Sequence, residues 1–349
     1  MAPMTTTDSR RRAGATELIV GLVAGYAVDT VLGDPRRWHP VAGYGRFAAQ
    51  LERRLYAPTR TAGTRYAAVA VGVPFAGAVA VHLATRRHPV ARAAVVAAAT
   101  WAVLGGTSLG READAMADEL DAADLEAARQ RVPSLCGRDP SALDAGEIGR
   151  ATVESIAENT SDATVAPLLW AAVAGLPGLI GYRAVNTLDA MVGHRDDRYR
   201  HFGTASARLD DAANFVPARV TALLTIPAAA IVTDGRAPAE PRRRGPRSRA
   251  FATFATWLRD RNHHPSPNAG QCEAAMAGAL GVRLGGRNAY HGRVEVRPTL
   301  GRGPLPGPSE IRRAARISRV AGALAVATSV AVAVGGSVAT NRLRRRRVR

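Results

Sequence analysis

Apolar residues run in long, nearly charge-free stretches along this chain rather than alternating with polar ones. Residues 17–33, 67–85, 90–106, 163–181, 215–233 and 320–340 each form such a run. A helix needs about 20 apolar residues to cross the hydrocarbon core, with a usable range of about 17–25. The pattern predicts an all-α fold, a polytopic integral-membrane helical protein with five or six apolar segments. The alternative is a soluble, alanine-rich protein with buried core helices, but charge-free runs of this length are uncommon in soluble cores. The first run follows the basic residues 10–12 and lacks a small-residue cleavage site, so it reads as an uncleaved anchor. The fourth run carries Pro167, Gly175, Pro177 and Gly178. It reads as broken or re-entrant, which is tolerated where a segment is buried in protein or lines a watery cavity. Residues 1–340 read as one membrane-embedded domain, with an Arg/Pro-rich linker at 235–250 and a basic tail at 341–349.

Four polar stretches between the runs hold the candidate chemistry. In the first, "LGDPRRWHP" at 32–40, Gly33, Asp34 and Pro35 predict a turn, and His39 precedes Pro40. Asp29 lies inside the first run, where an acid must face protein or water. In the second, 137–162, Ser141 with Asp144 and Asp144 with Glu147 match the capping-box pattern and predict a helix start. Along that helix Glu147, Arg150, Glu154, Glu158 and Asp162 recur at steps of three and four and share a face. One reading is a solvated face with a weak Arg150–Glu154 pair. The other is a hard-cation site. Carboxylates next to Asn159, Thr160 and Ser161 supply the oxygen ligands that Mg²⁺ takes, and Mg²⁺ in turn bridges to phosphates.

The third stretch, 181–219, groups Arg183, Asn186 and Asp189 on one helix, then Asp210, Asp211 and Asn214 ahead of Pro217 and Arg219. In the fourth, 259–286, Ser266, Pro267, Asn268 and Gly270 predict a turn with Asn268 as N-cap. A helix is expected from Ala269 to Leu284, ending at Gly285–Gly286, with Ala277, Gly281 and Gly285 as a small-residue ridge. Its free N–H groups would attract an anion, with Arg259, Arg261, His263 and His264 just upstream. The plainer alternative is a capped, tightly packed helix.

Charge narrows the function classes. The formal net charge is +18, which admits nucleic acid, an anionic membrane surface or an acidic substrate. The chain contains no lysine, so the excess is all arginine and reads as compositional bias. No nucleic-acid module is recognisable, and no nucleic-acid partner is expected. Cys136 and Cys272 are far apart and form neither a disulfide framework nor a metal motif. The basic tail favours a cytoplasmic C-terminus by the positive-inside rule. The 234–319 loop is also basic and lies across one run from it, so the two cannot share a side if 320–340 crosses once.

Taken together and in order, "LGDPRRWHPV", "RATVESIAENTSDATVAPLLWAAVAGLPGLIGYRAVNTLDAMVGH", "SARLDDAANFVPAR" and "HPSPNAGQCEAAMAGALGVRLGG" resemble the signature segments of the CobD/CbiB family, the adenosylcobinamide-phosphate synthases of cobalamin biosynthesis. The resemblance runs from about residue 17 to 340; "GHRDDRYRHFG" at 193–203, the 235–250 segment and the arginine tail depart from it. It implies an integral protein of the bacterial plasma membrane with active-site loops facing the cytoplasm. It also implies an amide ligase that uses ATP and a divalent cation, Mg²⁺, to join adenosylcobyric acid to an aminopropanol phosphate or related aminoalcohol. The implied partners are these small molecules (corrinoid, aminoalcohol phosphate, ATP), membrane lipid and other corrinoid-synthesis membrane enzymes.

On that chemistry Glu154, Glu158 and Asp162, with Asp189 nearby, are expected at the metal and amine, Glu158 and Asp162 being the metal ligands. Ser266 and Asn268 would hold a phosphate with help from Arg261 and His264, Glu273 would orient an amine, and His39 is a candidate base. Asn159, Arg183, Asn186, Asp211, Asn214 and Arg219 complete the expected substrate contacts. The rival readings are a non-catalytic membrane sensor or regulator and a transporter that uses an intramembrane acid such as Asp29.

Overall fold

The computed structural model describes residues 6–34, 39–194, 196–232, 245–290 and 293–347. Pro35 of the expected turn, residues 235–244 of the expected linker and the end of the basic tail lie outside the described residues; 246–250, also expected as linker, are helical. In chain order the helices are α1 (Thr6–Leu32), α2 (Pro40–Leu55), α3 (Arg60–Thr85), α4 (Pro89–Val103), α5 (Gly106–Asp121), α6 (Leu125–Leu135) and α7 (Ala145–Thr160). A π-turn, Ser161–Val165, leads into α8 (Ala166–Val192), α9 (Tyr199–Phe202), α10 (Thr204–Ile231), α11 (Pro246–Asp260) and α12 (Ala269–Leu280). Strands β1 (Arg283–Tyr290) and β2 (Arg293–Gly301) then form an antiparallel hairpin, and α13 (Pro308–Arg347) follows it.

The helical membrane architecture read from the pattern is present. Among the described residues, six helical stretches are long and apolar enough to cross a membrane: Gly14–Leu32, Arg60–Thr85, Pro89–Asp121, Ala145–Val192, Thr204–Ile231 and Pro308–Val338. Each overlaps one of the six apolar runs. The hairpin is an addition to this helical frame.

The chain divides into two compact units. Met1–Gly105, Ala166–Ala213 and Ala325–Arg349 form the first. Within it α1 packs on α4 through glycines: a Cβ on Gly21 would meet Val96, and one on Gly25 would meet Thr100. Small residues let two helix backbones approach this closely. The Tyr44 hydroxyl, 3.3 Å from both the Ala70 and Ala184 carbonyls, ties α2 to α3 and α8. Helix α8 is broken at Gly175, which takes φ 65° and ψ −152°. Beyond the break Gly178 lies against the Trp170 carbonyl and Ala174. Eight residues of straight helix would put about 12 Å of rise between Trp170 and Gly178. The chain therefore doubles back at Gly175, as the Pro/Gly content predicts.

Gly106–Val165 and Asn214–Leu324 form the second unit. Its apolar core gathers Met116, Val132, Ile148, Val153, Ile156, Met276, Leu284 and Ile311. Helix α7 is buried along almost its whole length, from Ile148 to Ala157. The capping box forms as predicted, with Asp144 and Glu147 each accepting the other's backbone N–H. Helix α12 ends four residues earlier than the 269–284 expectation, because Gly281 takes a left-handed cap (φ 74°, ψ 31°). Leu284 and Gly285 belong to β1, so the expected Ala277–Gly281–Gly285 ridge does not form on one helix.

Candidate functional site

The acidic face of α7 divides into residues with different tasks. Glu154 is buried, and its carboxylate is fully engaged. Oε2 accepts from the Arg138 guanidinium, Oε1 accepts from the Gly285 backbone N–H at 2.6 Å, and Arg150 Nη1 lies 3.7 Å from Oε1. Arg150 in turn donates to the carbonyls of Gly285 and, at 2.8 Å, Arg287. The weak surface pair expected from spacing is instead a buried network that clamps the root of the β-hairpin onto α7. The solvated-face reading is thereby overturned for Glu154 and Arg150.

Glu158, one turn further, is half-buried and meets Glu273 of α12 side chain to side chain. Glu273 is 1% exposed, and neither of its carboxylate oxygens receives a hydrogen bond from a donor group. Burial pushes the Glu273 carboxyl well above its usual range, and the charges of Glu154 and Glu158 add to that, with Arg297 opposing. Asp162 stands on the π-turn, close enough to Cys272 for its charge to act on the thiol. The π-turn widens the helix just after Glu158, a distortion that recurs at functional sites. Asn159 is turned back onto Ser155, donating to its carbonyl at 2.9 Å.

Next to this carboxyl pair is a cleft of about 300 Å³ lined by Arg219, Arg261, Asn262, His264, Pro265, Ser266 and Pro267. Arg219 stacks on Phe215, 3.6 Å from the ring centroid, and Arg261 on Trp257 at 4.6 Å. Stacking holds two planar guanidinium groups in place without neutralising them. His264 joins cleft to carboxyl pair. Its Nδ1 accepts from the Ser266 backbone N–H at 3.0 Å, and its Nε2 lies 3.7 Å from Glu273 Oε1. Burial, reinforced by the charge of Arg297, pushes the His264 imidazole down to about 4, so it is neutral at pH 7.

The start of α12 differs from expectation in detail. Asn268 occupies the N-cap position, but its side chain makes no cap hydrogen bond. Ser266 caps instead, its Oγ accepting from the N–H groups of Asn268 (3.3 Å) and Ala269 (3.2 Å). Those two donors are thus already satisfied, and the positive charge lining the cleft comes from Arg219 and Arg261.

The second unit accordingly assembles Glu154, Glu158, Asp162, Arg219, Arg261, His264, Ser266, Asn268 and Glu273, together with buried Asn214. His39, Arg183, Asn186, Asp189 and Asp211 belong to the first unit. There Arg183 Nη1 reaches Asn186 Oδ1 at 3.4 Å, and Asn186 Nδ2 donates to Asp210 Oδ1 at 3.3 Å. Asp189 is close enough to Asp211 to feel its charge. His39 caps α2, its Nδ1 accepting from the Val41 N–H at 3.2 Å. Among the described residues no group of three or more His, Cys, Asp or Glu side chains is arranged to hold a metal ion.

Arg138 and Arg297 were not anticipated from sequence. Arg297 sits on β2 opposite Gly286, and its charge acts on Glu158, His264 and Glu273 alike. The alternation of polar and apolar residues in "RVEVRPTL" is the strand signal that could have pointed to it.

Comparison with known proteins places the sequence in a family. The model of the CobD/Cbib protein family matches residues 22–318. The chain belongs to the CobD/Cbib family. A Mycobacterium tuberculosis protein named Cobalamin biosynthesis protein CobD is 50% identical over 302 residues, 86% of this chain and 91% of that one. Proteins of the same name from Geobacter metallireducens and Rhodobacter capsulatus are each 42% identical, over 294 and 312 residues. The first of these alignments covers 82% of this chain and 87% of the relative, the second 85% and 92%. No solved structure matches the chain. The CobD/Cbib match takes in α7, the π-turn, the Arg219–Arg261 cleft and the Glu158–Glu273 pair.

Proposed function

We propose that the protein acts in cobalamin biosynthesis as an ATP-dependent amide ligase, joining the carboxylate of adenosylcobyric acid to the amine of an aminopropanol phosphate or related aminoalcohol. The observation that carries this reading is the continuity from an arginine-lined cleft, through His264, to the facing carboxyls of half-buried Glu158 and buried Glu273. An aminoalcohol phosphate has an anion at one end and an ammonium at the other, and these are the two charges such a site complements. Arg219 and Arg261 bind the phosphate, and Glu273 receives the ammonium. Neutral His264 separates the two without adding a competing charge.

A carboxylate is a poor acyl donor because it offers no good leaving group. Transfer of the γ-phosphoryl group of ATP to the corrinoid carboxylate gives an acyl phosphate and ADP. The amine, having lost a proton to the site, attacks the acyl carbon, the C–N bond forms and inorganic phosphate leaves. Glu273, neutral in the empty site, ionises as the ammonium arrives beside it, because an opposite charge favours the carboxylate, and it then matches that charge.

The donor chemistry at Glu158 and Asp162 fits Mg²⁺, which is commonly held by one or two carboxylates with phosphate oxygens and water completing the shell. When bound, Mg²⁺ supplies charge neutralisation for the phosphoryl group in flight.

The test is an assay of membranes containing the full chain, supplied with adenosylcobyric acid, aminoalcohol phosphate and ATP and read by mass spectrometry. The expected result is a product heavier by the aminoalcohol phosphate less one water, with ADP and phosphate released one for one. ATP-independent product, or no corrinoid turnover by well-folded protein across the aminoalcohol phosphates, would refute the assignment.

A further inference from the structure

Helix α11 has 15 residues and lies outside the six apolar spans. It is too short, and with Arg247, Arg249 and Arg259 too charged, to cross a bilayer. One face is firmly packed. Thr253 and Trp257 are buried, the indole N–H donates to Gln271 Oε1 at 3.0 Å, and Gly278 of α12 fits against Thr253 and Thr256. Its last residue, Asp260, accepts from the Gly301 N–H at 2.7 Å, pinning the helix end to the hairpin. The opposite face is therefore fixed in direction, and it is apolar. Phe251 is 72% exposed, Phe254 40% and Leu258 45%. With exposed Arg247 these residues follow steps of four, three and four, which is one stripe of an α-helix.

Two phenylalanines and a leucine in one exposed stripe require a partner. We propose that α11 lies along the surface of the membrane that this chain spans, with Phe251, Phe254 and Leu258 inserted among the acyl chains of an anionic leaflet and Arg247 on the headgroup phosphates. The occupant follows from two features. The chain carries six stretches able to cross a bilayer, so a lipid surface is always within reach, and the stripe begins with an arginine, matching anionic headgroups. An apolar face with a basic end is the signature of helices lying in the interfacial plane, about 5–10 Å deep. Arg261 caps the end of α11 and lines the cleft, so docking would hold the cleft beside the headgroup layer.

The test uses the full chain in nanodiscs of phosphatidylcholine, with or without phosphatidylglycerol. A bimane label is placed on Phe254→Cys, on Leu258→Cys and, as a polar reference, on Ser141→Cys, with the unsubstituted protein as background for its native thiols. Labels at 254 and 258 should be quenched several-fold more by doxyl-labelled lipid than by iodide. Phosphatidylglycerol should strengthen the lipid quenching, and Arg247→Gln should remove that gain. The label at 141 should show the reverse preference. Equal iodide quenching at 254 and 141 would overturn the proposal, and indifference to phosphatidylglycerol would overturn its anionic component. A 254–254 disulfide between copies, with both quenchers excluded, would assign the stripe to a second copy instead.

Discussion

His264 Nε2 lies 3.7 Å from Glu273 Oε1, a buried imidazole facing a buried carboxyl. The two groups are shifted in opposite directions, His264 down to about 4 and Glu273 upward. Both therefore favour their neutral forms, as burial dictates. Their effects on stability have opposite signs. The native state resists protonating His264, so stability is lost as pH falls from about 6.5, the ordinary histidine value, through about 4. The native state resists ionising Glu273, so stability is lost as pH rises above about 4.3, the ordinary glutamate value, through its raised one.

Glu273→Gln isolates the second effect. The amide keeps the shape of the protonated acid and cannot ionise. Its melting temperature in detergent should exceed that of the unsubstituted protein at pH 8, and the gap should close towards pH 4. The charges facing this position (Glu154, Glu158, Arg297 and, once protonated, His264) are common to both proteins, so the difference between the profiles belongs to Glu273. Parallel profiles would show that the carboxyl is not held neutral. Amide formation should fall in this variant.

Glu154 and Glu158 are one helical turn apart and should respond oppositely to loss of charge. Glu154→Gln leaves Arg138 and Arg150 buried beside an amide, and breaking such a pair costs about 3–5 kcal/mol. That variant should melt markedly lower and accumulate poorly. Glu158→Gln removes one of two carboxyls that face each other, so its melting temperature should hold or rise while product formation is abolished. Asp162→Asn should likewise abolish turnover with the protein still in the membrane. Near-normal turnover of Glu158→Gln or Asp162→Asn at limiting Mg²⁺ would exclude the metal assignment. A Glu154→Gln protein as stable as the original would show that the clamp on the hairpin carries little energy.

Much of this arrangement was legible in the sequence, because span length, breaker residues and caps are local signals. The six runs, the break at Gly175 and the Asp144–Glu147 box all depend on residues within a few positions of one another. The end of α12 was misplaced because Gly281 and Gly285 both suit a helix stop, and only the backbone shows Gly281 taking the left-handed conformation. The cap of α12 passed from Asn268 to Ser266 for a similar reason, since both side chains are competent and the turn geometry chooses between them. Long-range pairing was not legible. Nothing in the spacing of Glu154 announces Arg138 or the Gly285 N–H, 131 residues away. The same spacing produced a buried structural clamp at Glu154 and a half-buried carboxyl facing Glu273 at Glu158, so periodicity identified the face without identifying the task.

Gly175 should resist substitution. Its φ of 65° and ψ of −152° fall in a region open essentially to glycine alone, and such strain costs about 1–3 kcal/mol per residue. Gly178→Ala meets a different obstacle, because a Cβ there runs into the Trp170 carbonyl and Ala174. Both variants should lower the melting temperature in detergent, and the double variant should lose more than either alone. A Gly175→Ala protein that melts with the original would mean that α8 has another way through the bend.

Arg219 and Arg261 should govern affinity for the phosphate-bearing substrate rather than the chemical step. Each is held by an aromatic face, Phe215 or Trp257, and both line the cleft. A hydrogen bond to a charged group contributes about 1.5–3 kcal/mol, so losing one guanidinium should raise the KM for aminoalcohol phosphate by roughly 10- to 150-fold. The KM for adenosylcobyric acid should stay within a few-fold. Arg261→Lys should recover only part of the loss, since an ammonium cannot match the bidentate fork or the stacking. Inorganic phosphate should raise the melting temperature of the original protein and do so less for Arg219→Ala and Arg261→Ala, a measurement independent of catalysis. If both arginine variants raise the KM for ATP and leave that for the aminoalcohol phosphate unchanged, the cleft holds the nucleotide, and the phosphate end of the second substrate must be sought elsewhere.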